Sequence, residues 1–261
     1  MIVEKLNAAY SVDAQLDAQQ AWYPRPSGLG GCLREYAWRM SGAEAEPRTP
    51  ESMRLLELGH QRGEELERRC KALWPDAETQ VKVEIPAPWG TMKGTVDLWI
   101  PSLRTIVDFK TAGAYSMGLV VSGEKEDEGY ALQLNAYRHG ISCLKSVVSL
   151  PEFSHPTRSL NLEDIRTVLV YEAKDSDARK GVTAGMLHEV EVPYTAALEA
   201  AYLTRMQAIW TLLQNQRSGS LQPLDVGGMP RDSKGRESWK CRMKDGKPLY
   251  CSIGTIRGCC S

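Results

Sequence analysis

Apolar residues recur in two rhythms along this chain, and the changes between them set out its elements. The spacing is helical over 11–23 and again over 32–40, where Leu33, Tyr36, Ala37 and Met40 share one stripe. The segment between them, 24–31, is a Pro- and Gly-rich break. Pro50 suits the first turn of a helix capped by Thr49, and Met53, Leu55, Leu56, Leu58, Leu66 and Leu73 carry that helix to Trp74. The period then shortens to that of strands over 80–85, 91–100 and 105–111, the last two joined by a turn at Pro101-Ser102. A polar loop over 122–129 precedes a helix over 130–144. Val168, Leu169 and Val170 mark a buried strand over 167–172, 187–192 alternates as another, and 194–217 reads as a helix.

This order predicts an α/β fold with a central mixed β-sheet flanked by helices, because a hairpin, a helical crossover and a further strand cannot all run the same way. N-terminal helices and a Cys-rich C-terminal tail are added to it. The expected organisation is one domain over 1–217 and a basic, Cys-rich segment over 218–261, where periodic apolar residues are scarce. A net charge of −1 gives no whole-chain sign of a polyanionic partner, so any nucleic-acid surface has to be local. No apolar run reaches membrane-spanning length and the first residues lack a secretory pattern, which excludes a membrane partner and predicts a cytoplasmic protein. Seven cysteines in that setting read as reduced thiols or metal ligands.

The chemistry concentrates on two adjacent strands. Strand alternation puts Asp108 and Lys110 on one face and Phe109 on the other, and antiparallel pairing brings Asp97 across from Asp108. Two carboxylates and a lysine on buried strands are costly to desolvate unless a cation compensates them. An all-oxygen pair suits Mg²⁺ or Mn²⁺. A surface hairpin with a cross-strand salt bridge fits the same residues if they are taken alone. On the long helix His60, Glu64 and Glu67 fall at i, i+4 and i+7, so one of them could complete a metal shell. Glu65, Arg68 and Arg69 nearby also fit a plainly solvated face. Gln133 and Tyr137, one turn apart, could hydrogen-bond phosphate or stack on a base, or simply be a core tyrosine with a glutamine at its edge.

In this order, Gly94-Thr95-Val96-Asp97, Asp108-Phe109-Lys110 and Gln133-Leu134-Asn135-Ala136-Tyr137 resemble the motifs of the PD-(D/E)xK nuclease superfamily. The similarity is to its RecB-like branch, in which QxxxY follows the (D/E)xK strand, and it spans 28–137. It implies a restriction-endonuclease-like core in which Asp97 and Asp108 bind the metal with help from the main-chain carbonyl of Phe109. Lys110 would orient the attacking water or stabilise transition-state charge, and Gln133 and Tyr137 would contact DNA or position the lysine. The branch commonly places a His or Glu ligand four residues after an upstream glycine. From Gly59 that position is Gly63, which has no side chain, so the third ligand is expected from Glu64, with His60 the alternative. The implied activity is that of a Mg²⁺- or Mn²⁺-dependent deoxyribonuclease, an exonuclease on DNA ends or single strands. The rival reading is a catalytically impaired nucleic-acid-binding module of the same fold within a recombination or helicase complex.

The cysteines add a second resemblance. Cys32 before the core, with Cys241, Cys251 and Cys260 (or Cys259 beside it) near the other end, is similar to the iron–sulfur clasp of AddB and CRISPR-associated exonucleases. A four-cysteine zinc site and free thiols are the alternatives. Cys70 and Cys143 fall on apolar helix faces and read as core. The tail also interleaves Lys234, Arg236, Lys240, Arg242, Lys244, Lys247 and Arg257 with Trp239 and Tyr250, a pattern suited to a single-stranded path or to a solvated tail.

Overall fold

A computed structural model of the chain describes residues 2–19, 23–43, 45, 47–124, 128–144, 160–222, 243–244 and 247–248. Its helices are α1 (Ile2–Gln19), α2 (Leu33–Met40), α3 (Pro50–Leu73), α4 (Ala114–Val121), α5 (Glu128–Ser142) and α6 (Ala196–Arg217). Its strands are β1 (Glu78–Ala87), β2 (Gly90–Ile100), β3 (Thr105–Ala112), β4 (Arg166–Ala173), β5 (Leu187–Glu191), β6 (Met243–Lys244) and β7 (Lys247–Pro248). The chain divides into two compact units, one formed by Arg25–Gly30 with Leu58–Thr204, the other by Met1–Pro24, Gly31–Glu57 and Arg205–Ser261.

The first unit holds a five-stranded sheet in the order β1-β2-β3-β4-β5. β3 pairs antiparallel with β2 and parallel with β4, so the sheet is mixed and the expected α/β class, with a restriction-endonuclease-like core, holds. A parallel neighbour needs a helical crossover, and α4 and α5 lie in the chain between β3 and β4. On one face Leu98, Ile100, Val107 and Phe109 pack with Ala77 and with Cys70 and Trp74 at the end of α3. α5 covers the opposite side. It comes so close to β1 that a Cβ on Gly140 would stand 2.7 Å from Val83 Cβ. Arg138 on the same helix is buried and ties it to β4. Its guanidinium donates to Ile165 O at 3.1 Å, to Thr167 Oγ1 at 2.8 Å and to the carbonyl of Val192. Burial pulls its pKa down to about 10, and the paired carbonyls are what make that burial tolerable.

The second unit is helical. Tyr36, Ala37 and Met40 of α2 are buried, as are Ala14 and Ala18 of α1. Arg54 Nη1 donates to Asn7 Oδ1 at 2.7 Å, Arg39 Nη1 to Ala18 O at 3.0 Å and Gln216 Nε2 to Met40 O at 2.7 Å. Arg205 donates to the carbonyl of Gly31 and lies over the Tyr36 ring. No described helix is long and apolar enough to cross a membrane.

Most elements fall where the pattern puts them, and the exceptions have local causes. α1 starts at Ile2, nine residues before the expected onset at 11, because its buried stripe is only Ala14 and Ala18 and leaves no strong apolar period to read. α4 was not anticipated. It is eight residues long, and its first amide, that of Ala114, is capped by Asp175 from a distant loop. Thr49 caps α3 through Ser52 N at 3.3 Å, and Thr195 caps α6 through Leu198 N at 3.1 Å, which moves that helix start from 194 to 196.

The seating of α5 gives a paired stability test by urea denaturation. Gly140→Ala is expected to destabilise by about 1–3 kcal/mol, since Val83 and Ile85 leave no room for a methyl group. Gly63→Ala meets open space inside α3 and is expected to stabilise by up to about 1 kcal/mol.

Candidate functional site

Each motif residue reaches the site from its own element. β2 and β3 pair as far as Leu98↔Val107, and the next step in that register sets Asp97 opposite Asp108. There a side chain takes over from the ladder, for Phe109 N donates to Asp97 Oδ2 at 3.0 Å. Phe109 itself points into the core cluster, as alternation requires, and Asp108 points the other way with only 1% of its surface exposed. A surface hairpin is thereby ruled out for these residues.

α5 supplies the partners of Asp108. Gln133 Nε2 uses both its hydrogens, one to Asp108 Oδ1 at 3.0 Å and one to Tyr137 Oη at 3.1 Å. The ring of Tyr137 reaches this position because Gly94 has no side chain; a Cβ there would stand 3.0 Å from Tyr137 Cε1 and 2.8 Å from Pro26 Cγ. The glycine opening the Gly94-Thr95-Val96-Asp97 motif therefore serves close packing. Lys110 Nζ lies 2.5 Å from Asp108 Oδ2 and 4.7 Å from the centroid of Tyr130. The ammonium thus compensates the second carboxylate oxygen, as the Gln133 amide does the first.

The electrostatics follow from this packing. Burial pushes Asp108 up to about 6 against the pull of Lys110, and Asp97 beside it pushes the same way. Burial also raises Asp97, opposed by the Phe109 amide. Burial alone would lower Lys110, but the Asp108 carboxylate overrides it and holds the ammonium above its usual range.

α3 brings a further carboxylate that sequence reading placed on the right face but did not select. Glu67 is buried, whereas Glu64 and His60 are exposed. Burial raises the Glu67 carboxyl, and the charge of Asp97 adds to the effect. Gln80 Nε2 donates to Glu67 Oε1 at 2.7 Å. Gln80 sits in the left-handed region at φ 53, in the gap between the Thr79↔Leu98 and Val81↔Val96 pairs, opposite Asp97. A non-glycine residue held there inside a strand is strained, and strain of this kind gathers at functional sites. His60 also acts on the site from a distance, favouring the ionised form of Asp97. Glu67 was legible as the i+7 member of the His60–Glu64 stripe. Gln80 carried no signal, because nothing in the sequence announces its backbone conformation. Tyr130 was readable as the residue one turn before Gln133.

Among the described residues, no three His, Cys, Asp or Glu side chains stand close enough to hold one metal ion by themselves. The donors present still fit a hard cation. Asp97 and Asp108 are adjacent carboxylates, and Mg²⁺ usually takes one or two carboxylates with water and phosphate completing its shell. When ionised, Glu67, Asp97 and Asp108 are opposed by the half-buried ammonium of Lys110, and the excess of negative charge favours a divalent ion. Cys32 is buried just before α2. Cys241, Cys251, Cys259 and Cys260, with the side chains of the basic tail, lie outside the described residues.

A raised carboxyl pKa stabilises the fold only while the group is protonated, so the penalty from Asp108 is absent below the ordinary value of 3.8, grows as pH rises through about 6 and is complete above it. In EDTA at pH 8, Asp108→Asn is expected to be more stable than wild type by about 1–3 kcal/mol. Thermal melts should show this advantage shrinking as pH falls from 7 towards 4. Saturating Mg²⁺ should reverse the order, because only wild type gains from binding the ion.

No protein-family model matches the chain, and no curated protein matches it. Among solved structures it is similar to SSO0001, with 16% identity, 92% of each chain covered and a TM-score of 0.45. It is also similar to a phage-related exonuclease from Haemophilus somnus 129PT, with 13% identity, 78% of this chain and 99% of that chain covered, and a TM-score of 0.43. Similarity this remote transfers no activity to the chain.

Proposed function

We propose that this protein is a metal-dependent nuclease that hydrolyses DNA phosphodiester bonds, acting as an exonuclease on ends or single strands. The observation that supports it most is the buried Asp108 carboxylate, held by Gln133 on one oxygen and by Lys110 on the other, opposite Asp97. That Asp97, Asp108, Lys110 and Gln133, separated along the sequence, lie beside one another supports this reading.

In this reading Asp97 and Asp108 would hold Mg²⁺ or Mn²⁺ with the Phe109 carbonyl, and the buried Glu67, whose carboxyl feels the charge of Asp97, would be the α3 carboxylate that contributes, in preference to the expected Glu64 or His60. A cation bound there supplies positive charge to the phosphate oxygens and lowers the pKa of water. Gln133 fixes the rotamer of Asp108, and Tyr137 fixes Gln133. Lys110 keeps its proton because Asp108 lies beside it, so its ammonium can orient the attacking water or donate to a phosphate oxygen as charge builds there. Packing around Asp108 excludes bulk water and strengthens each of these interactions.

The test is cleavage of labelled single- and double-stranded DNA with Mn²⁺ and with EDTA. Asp108→Ala should abolish metal-dependent cleavage while keeping the circular dichroism spectrum of wild type. Glu67→Gln should lower kcat by about 10²-fold or more, and Glu64→Gln should stay within about threefold. Closed circular DNA should remain uncut. Full activity in Asp108→Ala would remove the assignment. Wild-type binding with no cleavage under any divalent ion would favour the non-catalytic binding module.

The cysteine proposal is that Cys32, Cys241, Cys251 and Cys260 hold an iron–sulfur cluster that closes the tail onto the N-terminal helices. Anaerobically purified protein should be brown and contain iron, and Cys32→Ala should bleach it. Colourless protein with stoichiometric zinc would replace the cluster with a zinc site, and protein with neither metal would end the proposal.

A further inference from the structure

β3 and β4 run parallel, so their carboxyl ends lie side by side at one edge of the sheet. In open α/β sheets this is the edge where ligands bind. From Asp108 and Lys110, β3 continues through Gly113 into α4, while β4 continues into the loop over 174–182. Lys174 N donates to Ala112 O at 2.8 Å, which places the start of the loop against the end of β3.

This loop has two acids and three bases, and its acids are used internally. Asp175 accepts from Ala114 N at the start of α4, and Asp177 Oδ1 accepts from Arg179 N at 3.0 Å. The bases are left to solvent. Arg179 has 95% of its side chain exposed and lies 3.8 Å from Asp177, and neither Lys174 nor Lys180 has an ion-pair partner among the described residues. Lys180 is nonetheless ordered by its surroundings. Its stem lies across Gly118, where a Cβ would stand 2.9 Å from Lys180 Cδ, and its Nζ is 5.2 Å from the centroid of Tyr115. Tyr115, in the first turn of α4, is 66% exposed. It lies five positions after Lys110, so their Cα atoms are at most about 18 Å apart.

An exposed aromatic ring beside exposed cations has the chemistry of a path for single strands, because unpaired bases offer a face to stack and phosphates meet the charges. A duplex hides those faces. We propose that Tyr115, with Lys174, Arg179 and Lys180, binds single-stranded nucleic acid and leads it to the Asp97–Asp108 site. The direction of that path rests on the nuclease reading; the binding itself does not.

Fluorescence anisotropy of a labelled oligothymidylate in EDTA tests the surface apart from catalysis. Tyr115→Ala should weaken binding about tenfold, whereas Tyr115→Phe should stay within about threefold of wild type, because the ring is what stacks. Lys180→Ala should reduce the slope of log K against log salt by about 0.7. Binding of a blunt duplex of the same length should be nearly insensitive to Tyr115→Ala. Equal affinity of wild type and Tyr115→Ala for the single strand, equal losses on single strand and duplex, or no single-strand binding by wild type would each overturn the proposal. Wild type that binds through Tyr115 but never cleaves DNA would uphold this surface and remove the nuclease reading instead.

Discussion

A buried carboxylate facing a half-buried one is the constraint around which the sheet unit is arranged. Asp108 is almost wholly buried and Asp97 lies opposite it, so each raises the cost of ionising the other. The surroundings offset part of that cost with the Lys110 ammonium, the Gln133 amide and the Phe109 main-chain N–H. Each compensating group needs a fixed backbone. Lys110 and Phe109 depend on β3 being held on both sides, by β2 and β4. Gln133 depends on α5 lying close to the sheet, which Gly140 and Gly94 permit by having no side chain and Arg138 secures through its bonds to Ile165 and Thr167.

The same arrangement explains why the neighbourhood departs from regular structure where it does. The β1–β2 ladder lapses at Gln80 and Asp97, and the two side chains freed there turn to separate tasks. Gln80 orients Glu67, and Asp97 takes the Phe109 amide. A regular ladder at that step would leave neither in place. At the far end of β3 and β4 the acids of the 174–182 loop bond to main chain, which leaves that edge basic although the whole chain is nearly neutral.

Much of the fold and the centre of the site could be read from sequence, for reasons visible in the residues. Strand alternation fixed which way Asp108, Phe109 and Lys110 point, and helical spacing put Gln133 and Tyr137 on one face. Thr49 announced α3 as a side-chain cap should. What escaped reading depended on contacts distant in sequence. α4 is anchored by Asp175, 61 positions from Ala114. Glu67 is buried and Glu64 exposed although less than one helical turn separates them, a difference that periodicity does not resolve. Gln80 is defined by a backbone angle, and no residue type in that stretch encodes it.

Asp97 and Asp108 are proposed to form a divalent-metal site completed from solvent and substrate. A crystal of the protein soaked in Mn²⁺ and measured at the manganese absorption edge tests it directly. One anomalous peak is expected between the Asp97 and Asp108 carboxylates, within coordination distance of both. Manganese bound elsewhere, or no peak with both carboxylates in ordered density, would contradict it.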